Sequence, residues 1–137
     1  MNDLVLDASF ALHWFFEDEV TERTESVLTL LQNQAGTAWV PTIWLFELLN
    51  GLGKGVARGR VDHGKAIAFW RELKELPVHI EEIPVDEKLL ETAVKFDLAV
   101  YDACYLSLAL LRGLPIATGD AKLQRAASQA GVVVIAP

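Results

Sequence analysis

Cysteine is the scarcest chemistry-bearing residue here: Cys104 stands alone among 137 residues. A lone thiol forms no internal disulfide. With no second Cys at metal-ligand spacing, a zinc ribbon and a dithiol redox motif are excluded too. Histidine is nearly as rare, with three in the chain. His63 and His79 lie in polar surroundings and His13 among aromatics, a poor basis for a two-histidine ribonuclease. No apolar run approaches the roughly 18 residues of a membrane-spanning helix. The N-terminus carries Asp3 and Asp7 around a short apolar stretch, without the basic region and apolar core of a signal peptide. These absences lead us to expect a cytoplasmic protein with no membrane partner.

Basic charge is also short, with 12 Lys and Arg against 19 Asp and Glu, a net charge of −7. That balance argues against nucleic acid, because phosphate binding usually shows as a basic surface. The charge is unevenly placed, however. Glu17, Asp18, Glu19, Glu22 and Glu25 face only Arg23, whereas Lys54, Arg58, Arg60 and Lys65 face only Asp62. A divalent cation would offset any acids gathered in a site.

What is present suits one compact domain over residues 1–137, 52% hydrophobic and 23% charged. Short β-type runs alternate with helical patterns. Strands are predicted at Leu4–Leu6, Thr37–Val40, Val78–Ile83, Leu114–Thr118 and Val132–Ile135. Helices are predicted over 20–32, 43–52, 62–76, 86–96, 101–112 and 121–129, with an unassigned apolar stretch at Phe10–Phe16. Gly113 and Gly131 each follow a helix, where a left-handed cap belongs. The alternation implies an α/β fold with a parallel sheet covered on both faces.

In such sheets the functional crevice lies beyond the carboxyl ends of the strands. Asp7 directly follows the first strand and Asp120 comes two residues after Thr118, although each would also serve simply as a helix cap. Glu47 and Asp102 make the stronger case. Each lies among large apolar residues on nearly every side of its helix, a pattern that predicts burial. A buried carboxylate pairs, neutralises or binds metal. No basic residue lies within one turn of either, which leaves a distant Arg or Lys as the structural alternative. Four carboxylates in one pocket would raise one another's pKa values unless a cation held them ionised, and hard oxygen ligands select Mg²⁺ or Mn²⁺. Asn50, Lys54 and Arg58 continue a helical stripe from Glu47 suited to a phosphate backbone, though the glycines at 51, 53 and 55 weaken the helix there.

At these residues the chain resembles PIN-domain ribonucleases, in particular the VapC-type toxins of toxin–antitoxin pairs. The matching pieces are Val-Leu-Asp-Ala-Ser (5–9), the helix around Glu47 with Asn50, Tyr-Asp-Ala-Cys-Tyr-Leu-Ser-Leu-Ala (101–109), and Leu-Pro-Ile-Ala-Thr-Gly-Asp-Ala-Lys-Leu (114–123). The resemblance implies a single PIN-like domain with a central parallel sheet of about five strands flanked by helices. It implies Mg²⁺- or Mn²⁺-dependent RNA cleavage leaving a 5′-phosphate and a 3′-hydroxyl. Asp7 and Asp102 match the principal metal-holding aspartates, Glu47 and Asp120 the remaining acids, and Ser9 and Thr118 hydroxyls beside the metal pocket. A homodimer and a cognate antitoxin protein are implied as well. The chain departs from the pattern at Gly119, where a larger residue is more common, and at His13, where Lys is frequent.

Other readings fail on particular residues. Gly51-Leu52-Gly53-Lys54-Gly55 lacks the Gly-Lys-Ser/Thr ending of a phosphate loop and follows no strand, so it reads as a glycine-softened helix end. A haloacid-type phosphatase wants a second Asp two residues after Asp7, and Ser9 stands there. The rival from another class is a non-catalytic module that keeps the fold and binds RNA or a protein without cutting. Trp14, Trp39, Trp44 and Trp70 read as core or interface residues.

Overall fold

The computed structural model describes residues 2–137. Five strands alternate with helices: β1 (Leu4–Leu6), α1 (Ala8–Leu12), α2 (Glu22–Gln32), β2 (Ala38–Val40), α3 (Ile43–Ala57), α4 (His63–Leu73), β3 (Val78–Ile80), α5 (Glu87–Lys95), α6 (Val100–Arg112), β4 (Ile116–Ala117), α7 (Ala121–Gln129) and β5 (Val134–Ile135). The strands form one sheet in the order β3-β2-β1-β4-β5, and every pairing is parallel. A parallel sheet flanked by helices on both faces needs strands apolar throughout. Val5, Leu6, Ala38, Val40, Ile116 and Ala117 are accordingly buried completely.

The strand order reverses direction at β1. From β1 the chain builds outward through β2 and β3, then returns to lay β4 and β5 on the other side. Adjacent crossovers therefore part company between β1 and β4, opening a crevice at the carboxyl ends of those two strands. The backbone closes the floor of that crevice, with the Asp7 N–H donating to the Ala117 carbonyl at 2.9 Å.

Local chemistry explains most helix starts. Thr21 and Thr24 form a reciprocal capping box at α2, and Asp62, Asp86 and Asp120 cap α4, α5 and α7 through their carboxylates. Gly113 and Gly131 take positive φ values of 65° and 80°, as expected at these helix ends. The third strand is shorter than its apolar run. It stops at Ile80 because its only partner, β2, ends at Val40, where the last bond runs from the Glu81 N–H. Part of the unassigned stretch at Phe10–Phe16 lies in the short helix α1.

The largest correction falls on α3, which does not end at Leu52 but continues to Ala57 through all three glycines. Packing accounts for two of them. A Cβ on Gly51 would come within 2.5 Å of the Leu12 side chain, and one on Gly55 within 3.0 Å of the Phe16 ring. Gly51 and Gly55 lie one turn apart, so they form a notch into which α1 and the segment after it fit. The glycine-softened helix end is instead a docking face in the helix interior. Gly53 points to open space. Gly53→Ala should therefore gain about 0.5–1 kcal/mol, or roughly 2–4 °C in Tm, from helix propensity alone. Gly51→Ala, which must displace Leu12, should show no such gain. Thermal denaturation of both variants checks this, and equal gains would overturn the packing explanation.

Candidate active site

The crevice between β1 and β4 is organised around Asp7, which is only 4% exposed. It occupies the N-cap position of α1, yet its side chain makes no capping bond. Two hydroxyls instead converge on its Oδ2, with Ser9 Oγ and Thr118 Oγ1 each donating at 2.6 Å. Those hydroxyls are themselves held from behind. The Gly119 N–H donates to Ser9 Oγ at 2.9 Å and the Asp120 N–H to Thr118 Oγ1 at 3.0 Å. The Gln124 side-chain amide donates to the Thr118 carbonyl at 2.8 Å. Each hydroxyl has its lone pair engaged by backbone and its proton aimed at Asp7, an oriented chain that crosses from β4 to β1.

Asp120 divides its labour. Its Oδ1 accepts the Leu123 N–H at 2.9 Å and caps α7, while its charge acts on Asp7, Glu47 and Asp102. Glu47, half-buried on α3, accepts from the Tyr105 hydroxyl at 2.5 Å. Asp102 sits in the first turn of α6, where the positive end of the helix favours a carboxylate. Four acids from four segments thus share one electrostatic neighbourhood.

Burial and repulsion set their protonation. Desolvation is the main force raising the Asp7 pKa, opposed by the Ser9 and Thr118 hydrogen bonds. Glu47 is also raised by desolvation, against the pull of Tyr105, with Asp7, Asp102 and Asp120 adding repulsion. For Asp102 desolvation, then repulsion from Asp120 and Asp7, raises the carboxyl to about 6, and Lys122 moderates the effect. No Arg or Lys pairs directly with any of the four among the described residues, and Lys122 pairs with Asp97 instead. The distant basic partner that would explain these acids structurally is not there.

The donor set, all carboxylate oxygen and short of positive charge, suits a hard divalent cation. Among the described residues no three His, Cys, Asp or Glu side chains already stand close enough to hold an ion. Binding would have to draw the carboxylates inward against their mutual repulsion.

The burial ranking reverses the one that the sequence suggests. Glu47 and Asp102 do not lie on helices enclosed all round, because Phe46, Leu49 and Tyr101 beside them are 65%, 49% and 62% exposed. Asp7, readable as a mere cap, is the buried acid. Asn50, Lys54 and Arg58 do share the Glu47 face, since α3 is continuous to Ala57 and Arg58 forms its cap. The two departures at 13 and 119 meet in space: a Cβ on Gly119 would come within 3.1 Å of His13 Nε2. A larger residue at 119 would need the imidazole moved. Tyr105, Gln124 and Lys122 were not singled out from the sequence. Tyr105, one helical turn from Asp102, offered the only local signal.

The chain is a doubly wound α/β domain whose switch-point carboxylates lack basic partners among the described residues. The family model for the PIN domain matches residues 4–129, and the chain belongs to that family. Members are generally metal-dependent nucleases. Among solved structures the chain is similar to PAE2754 from Pyrobaculum aerophilum, with a TM-score of 0.75 and 22% identity. The match covers 97% of this chain and 83% of that one, and at this identity it speaks to the fold. No curated protein matches the sequence.

The raised carboxyls make the metal-free site a source of instability. A carboxyl whose folded pKa exceeds its unfolded value costs nothing well below pH 3.8, where both states are protonated. Its penalty grows as pH rises from 3.8 to about 6 and is complete above that. Asp102→Asn should therefore stabilise the metal-free protein at pH 7.5 by about 1 kcal/mol after solvent screening, roughly 4 °C in Tm. The gain should vanish near pH 3, below the unfolded value of 3.8. Denaturation in EDTA at both pH values tests this, and a gain independent of pH would contradict it.

Proposed function

We propose that this protein is a Mg²⁺- or Mn²⁺-dependent endoribonuclease of the VapC type, the toxin of a toxin–antitoxin pair. The observation that carries the reading is the cluster itself: Asp7, Glu47, Asp102 and Asp120, mutually repelling and without basic partners, at the sheet's switch point. A non-catalytic module has little reason to keep such a cluster, which costs stability in the metal-free state.

Asp7 and Asp102 would be the principal cation ligands, with Glu47 and Asp120 completing the acidic wall. When bound, the cation would supply activation of water and charge stabilisation for in-line hydrolysis of an RNA phosphodiester. Ser9 and Thr118 favour the ionised form of Asp7 against the desolvation that raises its pKa, and they fix its orientation, because their protons already point at Oδ2. Tyr105 does the same for Glu47. Asn50, Lys54 and Arg58 all lie exposed along α3 from Glu47, and they would bind RNA phosphates beside the cleft. A homodimer is part of this reading. It is supported by apolar side chains exposed on α3, α5 and α6, namely Phe46, Leu90, Val94 and Leu111. An antitoxin protein would silence the enzyme by covering the cleft.

Purified protein free of any antitoxin, incubated with structured RNAs, should cleave them in Mg²⁺ or Mn²⁺ and not in EDTA. Asp7→Asn and Asp102→Asn should each lower the rate by at least ~100-fold. Cleavage that persists in EDTA or in both variants sinks the mechanism, and RNA that is bound but uncut with metal present favours the binding module. Lys54→Glu should raise KM for RNA with kcat little changed, and should reduce the salt dependence of binding by about one counterion. An unaltered KM removes Lys54 from the RNA path.

A further inference from the structure

Two fully buried side chains with hydroxyls face the acids, Thr118 and Tyr105, and the second bonds Glu47. Tyr105 is fully enclosed on α6, and its hydroxyl donates at 2.5 Å to Glu47 Oε1 on α3. One hydroxyl thus joins α6, one turn beyond Asp102, to α3 at Glu47.

We infer that Tyr105 is a positioning residue, whose hydroxyl fixes Glu47 on the cation side of the cleft through its hydrogen bond to the carboxylate. The inference rests on the proposed metal-dependent reading and deepens it. The chemistry asks for such a strut. Glu47 has three rotatable side-chain bonds and no basic partner, and it is repelled by Asp7, Asp102 and Asp120. Left alone it would swing away from the other acids toward solvent. A charge-assisted hydrogen bond from a group that cannot itself move holds it against that repulsion. Tyr105 is held in place because its ring is fully buried in the hydrophobic core. The phenol hydroxyl donates its one proton to Glu47. Outer partners of metal-ligating carboxylates orient them in this way, and their loss weakens metal binding more than folding.

The test measures Mn²⁺ binding by calorimetry and by the paramagnetic signal of free Mn²⁺, on wild type, Tyr105→Phe, Glu47→Gln and the double variant, with Tm recorded for each. Tyr105→Phe keeps the ring and removes the strut. It should weaken Mn²⁺ binding about 10- to 100-fold, and raise the Mn²⁺ concentration needed for RNA cleavage while leaving kcat at saturating Mn²⁺ close to wild type. The double variant should bind no more weakly than Glu47→Gln alone, because both remove the same interaction. Glu47→Asp, which withdraws the carboxylate from an intact Tyr105, should reproduce the loss and serves if Tyr105→Phe folds poorly. Unchanged Mn²⁺ affinity in Tyr105→Phe or in Glu47→Asp, or full additivity in the double variant, overturns the positioning role and leaves the nuclease reading intact. A wild-type protein that takes up no Mn²⁺ overturns both.

Discussion

The structure depends on one desolvated carboxylate. Asp7 is placed at the end of β1 by three apolar residues that have no alternative to burial, and it is kept there by hydroxyls from both sides of the β1–β4 junction. A charge in that position is tolerable only if every donor around it is oriented. The chain meets the demand by stacking backbone amides behind hydroxyls behind the carboxylate. The Thr118 hydroxyl can reach Asp7 only because β4 pairs with β1 in the register Leu6↔Ala117. Sheet topology and site chemistry are therefore a single constraint.

Around that centre the other acids form a deliberate electrostatic conflict. Asp102 gains from the helix N-terminus and loses by repulsion, Glu47 gains from Tyr105 and loses in the same way, and Asp120 gives one oxygen to a cap. A domain selected for stability alone would replace such a set with apolar or paired groups. On the proposed reading, keeping it trades stability for affinity toward a cation, a pattern common at functional sites. The hydrophobic frame bears the cost: α3 packs its glycine notch against Leu12 and Phe16, and α6 buries Tyr105, Leu106 and Leu108.

Much of the frame was legible in the residues. Strand–helix alternation predicted the parallel sheet, the cap reading held for Asp120 but not for Asp7, and Gly113 and Gly131 predicted helix ends. Apolar patterning misled where apolar residues lie outside the core. Phe46, Leu49 and Tyr101 look like core in the sequence, yet they stand exposed beside the acids they were expected to enclose. The glycines of α3 misled in the opposite direction. Propensity counts a glycine against a helix whatever surrounds it, while Gly51 and Gly55 are answered by side chains from 39 residues earlier in the chain, Leu12 and Phe16.

By itself the sequence determined most of the order of elements and the helix ends at Gly113 and Gly131, because periodicity and capping are properties of neighbouring residues. It could not determine which acid is buried, which hydroxyls face it or that Tyr105 holds Glu47. Those facts depend on distances between segments tens of residues apart, and only the closed sheet, with its reversal at β1, sets such distances. Desolvation follows the same rule. A carboxylate's environment is made by whatever the rest of the chain places around it, so the resting state of the site was decided by the tertiary structure.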